Sequence, residues 1–289
     1  MKRIVALLAM VAFLGLPLAA WQWPLENAEL LLTFAQNSGD HFARGVILDS
    51  EDKDVTSAHP GELLFAFREG HSPYTIPQPL GSFVVVEHDR QFRTLYAHLG
   101  SVEVHADNAD VTPETVIGRI GTSGFTTGRG VLFTIVDQEL HNFVNPLLIL
   151  PRQAETGKPV VGRIYLERGG ERIELRSGMT IAPGESMLIA ELYDRSGRGG
   201  AVRTLAPYHV AVDVNDESLV DLKMDTLEGR QELRLDGKVA YSDFYVGEVL
   251  VKLGRILVSG RQLSVTVRVA DFAGNEASRV VKLTVGGQE

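Results

Sequence analysis

The 289-residue chain contains no cysteine. That removes disulfides, thiol nucleophiles and thiolate metal sites together. It holds no block of like charge, and its formal net charge is −9. A mixed, acidic surface argues against nucleic acid as a partner, because phosphate binding needs clustered cations. Long helical periodicity is also missing: no segment repeats apolar residues at 3.6-residue spacing for several turns. The apolar run at residues 4–16 is too short and too cleanly terminated for a membrane span.

That run belongs instead to a targeting segment. Lys2 and Arg3 provide a positive start, and Pro17, Leu18, Ala19 and Ala20 end in the small residues that a signal peptidase needs. Residues 1–20 are therefore read as a signal peptide and the protein as exported, to the periplasm or cell envelope. An uncleaved anchor is the alternative. No cysteine follows, so lipid attachment at this site is excluded. No stable membrane span is expected after cleavage.

The remaining length suggests two domains. Trp21 to Leu25 form an apolar strap expected to pack on the first of them. Residues 30–150 read as short apolar runs broken by Gly, Pro, Asn and Asp, the pattern of many short strands. Residues 68–82 contain three Pro and two Gly and read as a loop. Residues 152–159 are polar and read as a linker. Beyond them, strand-length alternation returns. Leu263, Val265, Val267 and Val269 would point one way and Ser264, Thr266 and Arg268 the other. Asp271 and Asn275 then bracket a D-x-x-G-N turn. The expected fold is all-β: a β-sheet core domain at 21–151, then an immunoglobulin-like β-sandwich at 160–289. Residues 225–257 are less regular and are read as an insertion with a short helix.

Six segments carry a resemblance. Residues 40–48 read D-H-F-A-R-G-V-I-L, residues 84–88 V-V-V-E-H, and residues 94–99 T-L-Y-A-H-L. Residues 116–124 read V-I-G-R-I-G-T-S-G, residues 127–135 T-G-R-G-V-L-F-T-I, and residues 144–147 close with V-N-P-L. In this order they resemble the lysostaphin/LytM-type peptidoglycan endopeptidases of peptidase family M23, whose motifs are H-F-H-x-G-I-D-I, T-x-Y-x-H-L and T-G-P-H-L-H-F-E-I. The resemblance covers roughly residues 21–151.

Carried over by position, the family's three zinc ligands fall on Ala43, Ile47 and Leu132. Its two histidines that handle water and the oxyanion fall on His98 and Gly130. Catalytic zinc needs about three protein ligands with lone pairs, and alanine, isoleucine and leucine have none. The resemblance thus implies a pseudoenzyme: no metal, no cofactor (zinc in active relatives), and a vestigial His98. Ile47 and Leu132 are expected to be buried together as a refilled core. The implied function is non-catalytic binding of peptidoglycan or of a peptidoglycan hydrolase, as in amidase-activating relatives. An active zinc endopeptidase with a relocated site and a structural envelope protein are the alternatives.

Tyr96, His98, His71 and Tyr74 are the candidates for groove or partner contact. His98 either hydrogen-bonds a peptide in the groove or caps a neighbouring strand. His41 and His88 are read as histidines that the family carries without using them as ligands. The acidic run at 49–54 lacks the Gly and distal Glu of a calcium loop and is read as solvated.

Overall fold

A computed structural model describes residues 20–70, 78–89, 91–105, 110–153, 155, 157–196 and 203–286. The signal segment at 1–19, and His71 and Tyr74, lie outside the described residues. The fold is all-β, with a single four-residue α-helix, Tyr241–Phe244, among the described residues.

The first domain is built on the strand Val131–Asp137. One of its edges pairs with Phe92–Val102. The other is shared by Val46–Asp49 at one end and Asn142–Val144 at the other. Ser82–His88 and Gly61–Phe67 extend the sheet outward from Phe92–Val102. Alternation sets the faces: along Ser82–His88 every second residue is buried. The buried set includes Val84, Val86, Tyr96, Phe133 and Ile135. Gly45 stands where a Cβ would meet the Phe133 carbonyl oxygen at 2.2 Å, so only glycine lets these two backbones approach.

The strap packs as expected. Trp21 stacks on His59 at 4.8 Å and meets His88 edge-on at 5.0 Å, and Trp23 Nε1 donates to the Pro151 carbonyl. The strap therefore joins the start of the domain to its end.

Two sheets face each other in the second domain. One contains Glu171–Glu174, Val160–Arg168, Gly184–Ser196, Arg203–Leu205 and Leu250–Val258. The other runs Thr180–Ile181, Glu276–Val285, Gln262–Ala270, His209–Val214, Glu217–Lys223. Ile164, Leu188 and Leu253 from the first sheet and Val212, Val265 and Val267 from the second lie in the core. Leu263, Val265, Val267 and Val269 are all buried, as their alternation predicts. In the turn after them, Asp271 Oδ1 accepts from Asn275 N and Asp271 Oδ2 from Asn275 Nδ2.

The sheet of the first domain does not end at the linker. Thr226–Glu228, from the less regular stretch, pairs antiparallel with Asn142–Val144, and Arg234–Leu235 and Val239–Ala240 add two further short strands. Residues 225–249 thus leave the second domain, cover an edge of the first, and return as Leu250–Val258. The sequence reading took them as an insertion with a short helix inside the second domain, and the helix Tyr241–Phe244 is there; it gave no sign of their pairing with the first domain, because strand pairing across 80 residues leaves no local trace.

At the linker, carboxylate oxygens of Glu155, Asp194 and Asp271 lie within 4.8 Å of one another. Burial, with Glu155 and Asp271 close by, pushes Asp194 up to about 7. Its unfolded value is near 3.9. The folded chain therefore holds the extra proton between those two values, and stability falls as pH rises from about 4 to about 7. Asp194→Asn keeps the acceptor for Arg195 N and cannot ionise. Urea unfolding should show it more stable than the parent at pH 8 by roughly 1–3 kcal/mol, with the gain gone near pH 4.

Candidate functional site

The face that carries the positions of interest is set by cross-strand register. Ala97 lies opposite Leu132, and Leu132 lies opposite Ile47. Directly opposed residues share a face, so Ala97, Leu132 and Ile47 form one row across three strands. Ala97 is fully buried. Leu132 and Ile47 are half-buried, which corrects the expectation that both are buried. They adjoin as a cross-strand pair and give this face of the sheet an apolar patch.

Ala43 lies just before this strand and is 5 % exposed. Its N–H donates to the Gln36 carbonyl and its carbonyl accepts from Ala35 N. Gly130 sits at the start of Val131–Asp137, bonded through its N–H to Gly121. A Cβ at position 130 would meet Ile47 Cγ2 at 2.7 Å and Leu31 Cδ1 at 3.5 Å. The space for a side chain at position 130 is thus already filled by the isoleucine methyl. The residues at the three ligand positions do not fit zinc: they offer methyl and methylene groups where the ion requires nitrogen, sulfur or oxygen.

His98 is the one histidine of the five mapped positions. It is 8 % exposed. Its φ of +63° is in the left-handed region, rare outside glycine. Its N–H donates to the Leu80 carbonyl, and Nδ1 lies 3.0 Å from the Ser123 carbonyl. A carbonyl only accepts, so Nδ1 carries the proton and Nε2 of the neutral ring is the acceptor. Burial lowers the pKa of His98, and the Ser123 carbonyl opposes that in part. The neutral ring is favoured, held between the 79–81 turn and the 122–129 hairpin.

That hairpin also carries an exposed apolar side chain. Phe125, at its tip, is 71 % exposed, and its N–H donates to the Pro79 carbonyl. The described ends of the Pro-rich loop dock beside it: Glu69 Oε2 accepts from Gly124 N, and Ser123 Oγ accepts from Ser82 N. Arg129, on the returning arm, pairs with Asp49 at 2.9 Å and also donates to the Ser50 carbonyl. The 122–130 segment thus carries one exposed aromatic ring and one arginine paired to Asp49.

Tyr96 is not on this face. It is paired with Phe133, its ring packs on Phe133 at 5.2 Å, and it is fully buried. Its hydroxyl accepts from Ala58 N. The alternation that turns Ala97 toward the Leu132 side of the sheet turns Tyr96 to the Phe133 side, where it is fully buried and unavailable to a partner. His41 is exposed and bonded to Asp40 at 2.7 Å. His88 is buried between the Pro60 carbonyl and Thr94 Oγ1, and its burial lowers its pKa. Leu31 and Phe125 escaped the sequence reading. An exposed phenylalanine between glycines is the only trace that Phe125 leaves.

A separate cleft of about 630 Å³ runs between the strap and residues 52–56, lined by Trp23, Leu25, Glu26 and Asp52 among others. It contains none of the mapped positions.

Residues 41–146 match the family model described as peptidase family M23, and a second family model matches residues 158–286. No curated protein matches the chain. Among solved structures, the SpoIIQ–SpoIIIAH pore-forming complex is similar at 22 % identity, over 46 % of this chain and 92 % of that one, with a TM-score of 0.38. The catalytic domain of lysostaphin from Staphylococcus simulans is similar at 19 % identity, over 42 % and 91 %, with a TM-score of 0.35. The catalytic domain of the prophage-encoded M23 protein EnpA from Enterococcus faecalis is similar at 15 %, over 44 % and 95 %, with a TM-score of 0.36. The chain carries a peptidase family M23 domain at residues 41–146, joined to a second domain at 158–286.

Proposed function

We propose that this M23 domain works without catalysis at the cell envelope, as a module that binds peptidoglycan or a peptidoglycan hydrolase. One observation carries the reading: the Ile47 methyl occupies the space that a side chain at position 130 would need. A histidine there and an aspartate at 47 are the family's way of holding zinc and its water. With both gone, and with Ala43 and Leu132 at the other ligand positions, no group lowers the pKa of an attacking water or polarises a scissile carbonyl.

What remains is a binding surface. Ile47 and Leu132 form an apolar floor, Phe125 a projecting ring, and Arg129 with Asp49 a charged rim. An extended peptide laid on this floor would bury apolar area at roughly 25 cal/mol per Å². Phe125 is the anchor, because aromatic side chains, phenylalanine among them, are enriched at protein interfaces. The Pro-rich loop, whose described ends flank Phe125, is placed to add contacts. Export rests on the N-terminal signal segment. Among the described residues no helix is long and apolar enough to cross a membrane.

The second domain is read as immunoglobulin-like. Its two sheets divide the strands in the order such sandwiches use. The first long strand, Gly184–Ser196 and Leu250–Val258 share one sheet; His209–Val214 and the last two strands share the other, with Thr180–Ile181 parallel to the final strand.

Two measurements on the mature protein test the function. After dialysis against micromolar zinc, elemental analysis should find well below one equivalent. A full equivalent, lost on mutating His41 or His98, would return the reading to an active peptidase with a relocated site. In parallel, Phe125→Ser should leave the melting temperature unchanged, since the ring is exposed. It should weaken sedimentation with sacculi, or capture of a hydrolase, at least tenfold. Undiminished binding by that variant would remove the groove from the proposal.

A further inference from the structure

Two stretches of the first domain, residues 29–42 and residues 142–145, carry contacts to residues beyond the linker. Phe42 is 1 % exposed. Its ring lies 5.4 Å from Tyr241, 6.3 Å from Phe244 and 5.8 Å from Tyr245, all from the inserted segment. The polar groups around it are satisfied across the same boundary. The Tyr241 hydroxyl is shared between Asn37 Oδ1 at 2.8 Å and the Gly39 carbonyl at 2.7 Å. Asn37 Nδ2 donates to the Gly247 carbonyl. The Tyr245 hydroxyl, buried with its ring, donates to the Ala35 carbonyl. At the other end of the segment, Asn145 N donates to the Asp225 carbonyl and Asn145 Nδ2 to that of Met224. Between these points Thr226–Glu228 pairs with Asn142–Val144.

We infer that the segment 224–247 is a built-in clamp which makes the M23 domain conditional on the second domain, so that the two form one cooperative unit. Without the clamp, Asn142–Val144 would present an unpaired edge. Phe42 would lose its aromatic cover, and the main-chain carbonyls of Ala35 and Gly39 their donors. An interface between independent domains is ordinarily polar and permits relative motion. Here a strand ladder and a buried aromatic cluster span the boundary. The groove and the second domain are therefore presented to a partner in one fixed relation, and the covalent linker is not what holds them.

Cutting the linker tests this in the full chain. A protease-recognition sequence placed at residues 152–158 is cleaved in the purified protein. The two fragments should co-elute on size exclusion in native buffer and melt in a single transition. Both tryptophans, Trp21 and Trp23, lie in the first domain. Tryptophan fluorescence therefore reports that domain alone, while far-ultraviolet dichroism reports both, and the two curves should coincide. Fragments that separate without denaturant, or curves with different midpoints, would overturn the clamp. As a milder probe, Tyr241→Phe removes one hydroxyl and leaves the ring. It should lower both curves together by roughly 2–4 °C. A shift seen by dichroism and not by fluorescence would also overturn it.

Discussion

Replacing Phe42 by alanine is expected to destabilise the protein by about 3–5 kcal/mol, the range for a buried phenylalanine truncated in a packed core. The ring is almost inaccessible and contacts three aromatic rings from the inserted segment. Those neighbours are fixed by main-chain pairing and by hydroxyl bonds to Ala35, Asn37 and Gly39, so they cannot collapse into the void. Aromatic pairs in edge-on geometry add about 0.5–1.5 kcal/mol beyond area burial, and the variant loses these as well. Urea unfolding followed by tryptophan fluorescence gives the value directly. A loss below about 1 kcal/mol would mean that the cluster around Phe42 is loosely packed.

The second large effect is expected at Gly130, as a coupling. Gly130→Ala brings a Cβ to within 2.7 Å of Ile47 Cγ2. Isoleucine is stiff at χ1, and Ile47 is held by pairing with Leu132 on one side and Leu32 on the other. Overpacking of this kind costs about 1–3 kcal/mol. Ile47→Ala by itself should cost about 1–2 kcal/mol, less than a fully buried isoleucine would, because Ile47 is half-buried. In the Ile47→Ala background the methyl at position 130 enters vacated space, and its penalty should fall to near zero. The interaction energy of the cycle is then about 1–3 kcal/mol in the stabilising direction. Strict additivity would show that Ile47 does not fill the place of a side chain at 130, and the proposed non-catalytic function would lose its main support.

Much of the first domain was legible in the chain. Its strands alternate with period two, and Gly45 stands where two backbones nearly touch. That Ala43, Ile47 and Leu132 carry no lone pair for a metal is a matter of residue identity, readable without any coordinates. So was the turn at Asp271 and Asn275, where side-chain bonds span four residues.

The faces were less legible. Alternation says that Tyr96 and Ala97 point in opposite directions; it does not say which of the two meets the core. A tyrosine two residues before His98 reads as a groove residue. The structure turns it inward, because Phe133 across the strand and Ala58 N give the ring and the hydroxyl their partners. The half-exposure of Ile47 and Leu132 was hidden for a similar reason. Apolar identity indicates what a residue gains by burial, while the amount of cover depends on segments remote in sequence.

The sequence by itself determined the strand-rich class, the absence of thiol chemistry, and the lack of metal-binding atoms on Ala43, Ile47 and Leu132. These are set by residue identity and local spacing. Only the tertiary structure decided that residues 225–249 complete the sheet of the first domain, that Phe42 sits under Tyr241, Phe244 and Tyr245, and that Ile47 occupies the space beside Gly130. Each of these joins segments 80 to 200 residues apart. Their pairing follows from which edges and apolar faces are left uncovered once the local elements have formed, and no short window of the chain contains that information.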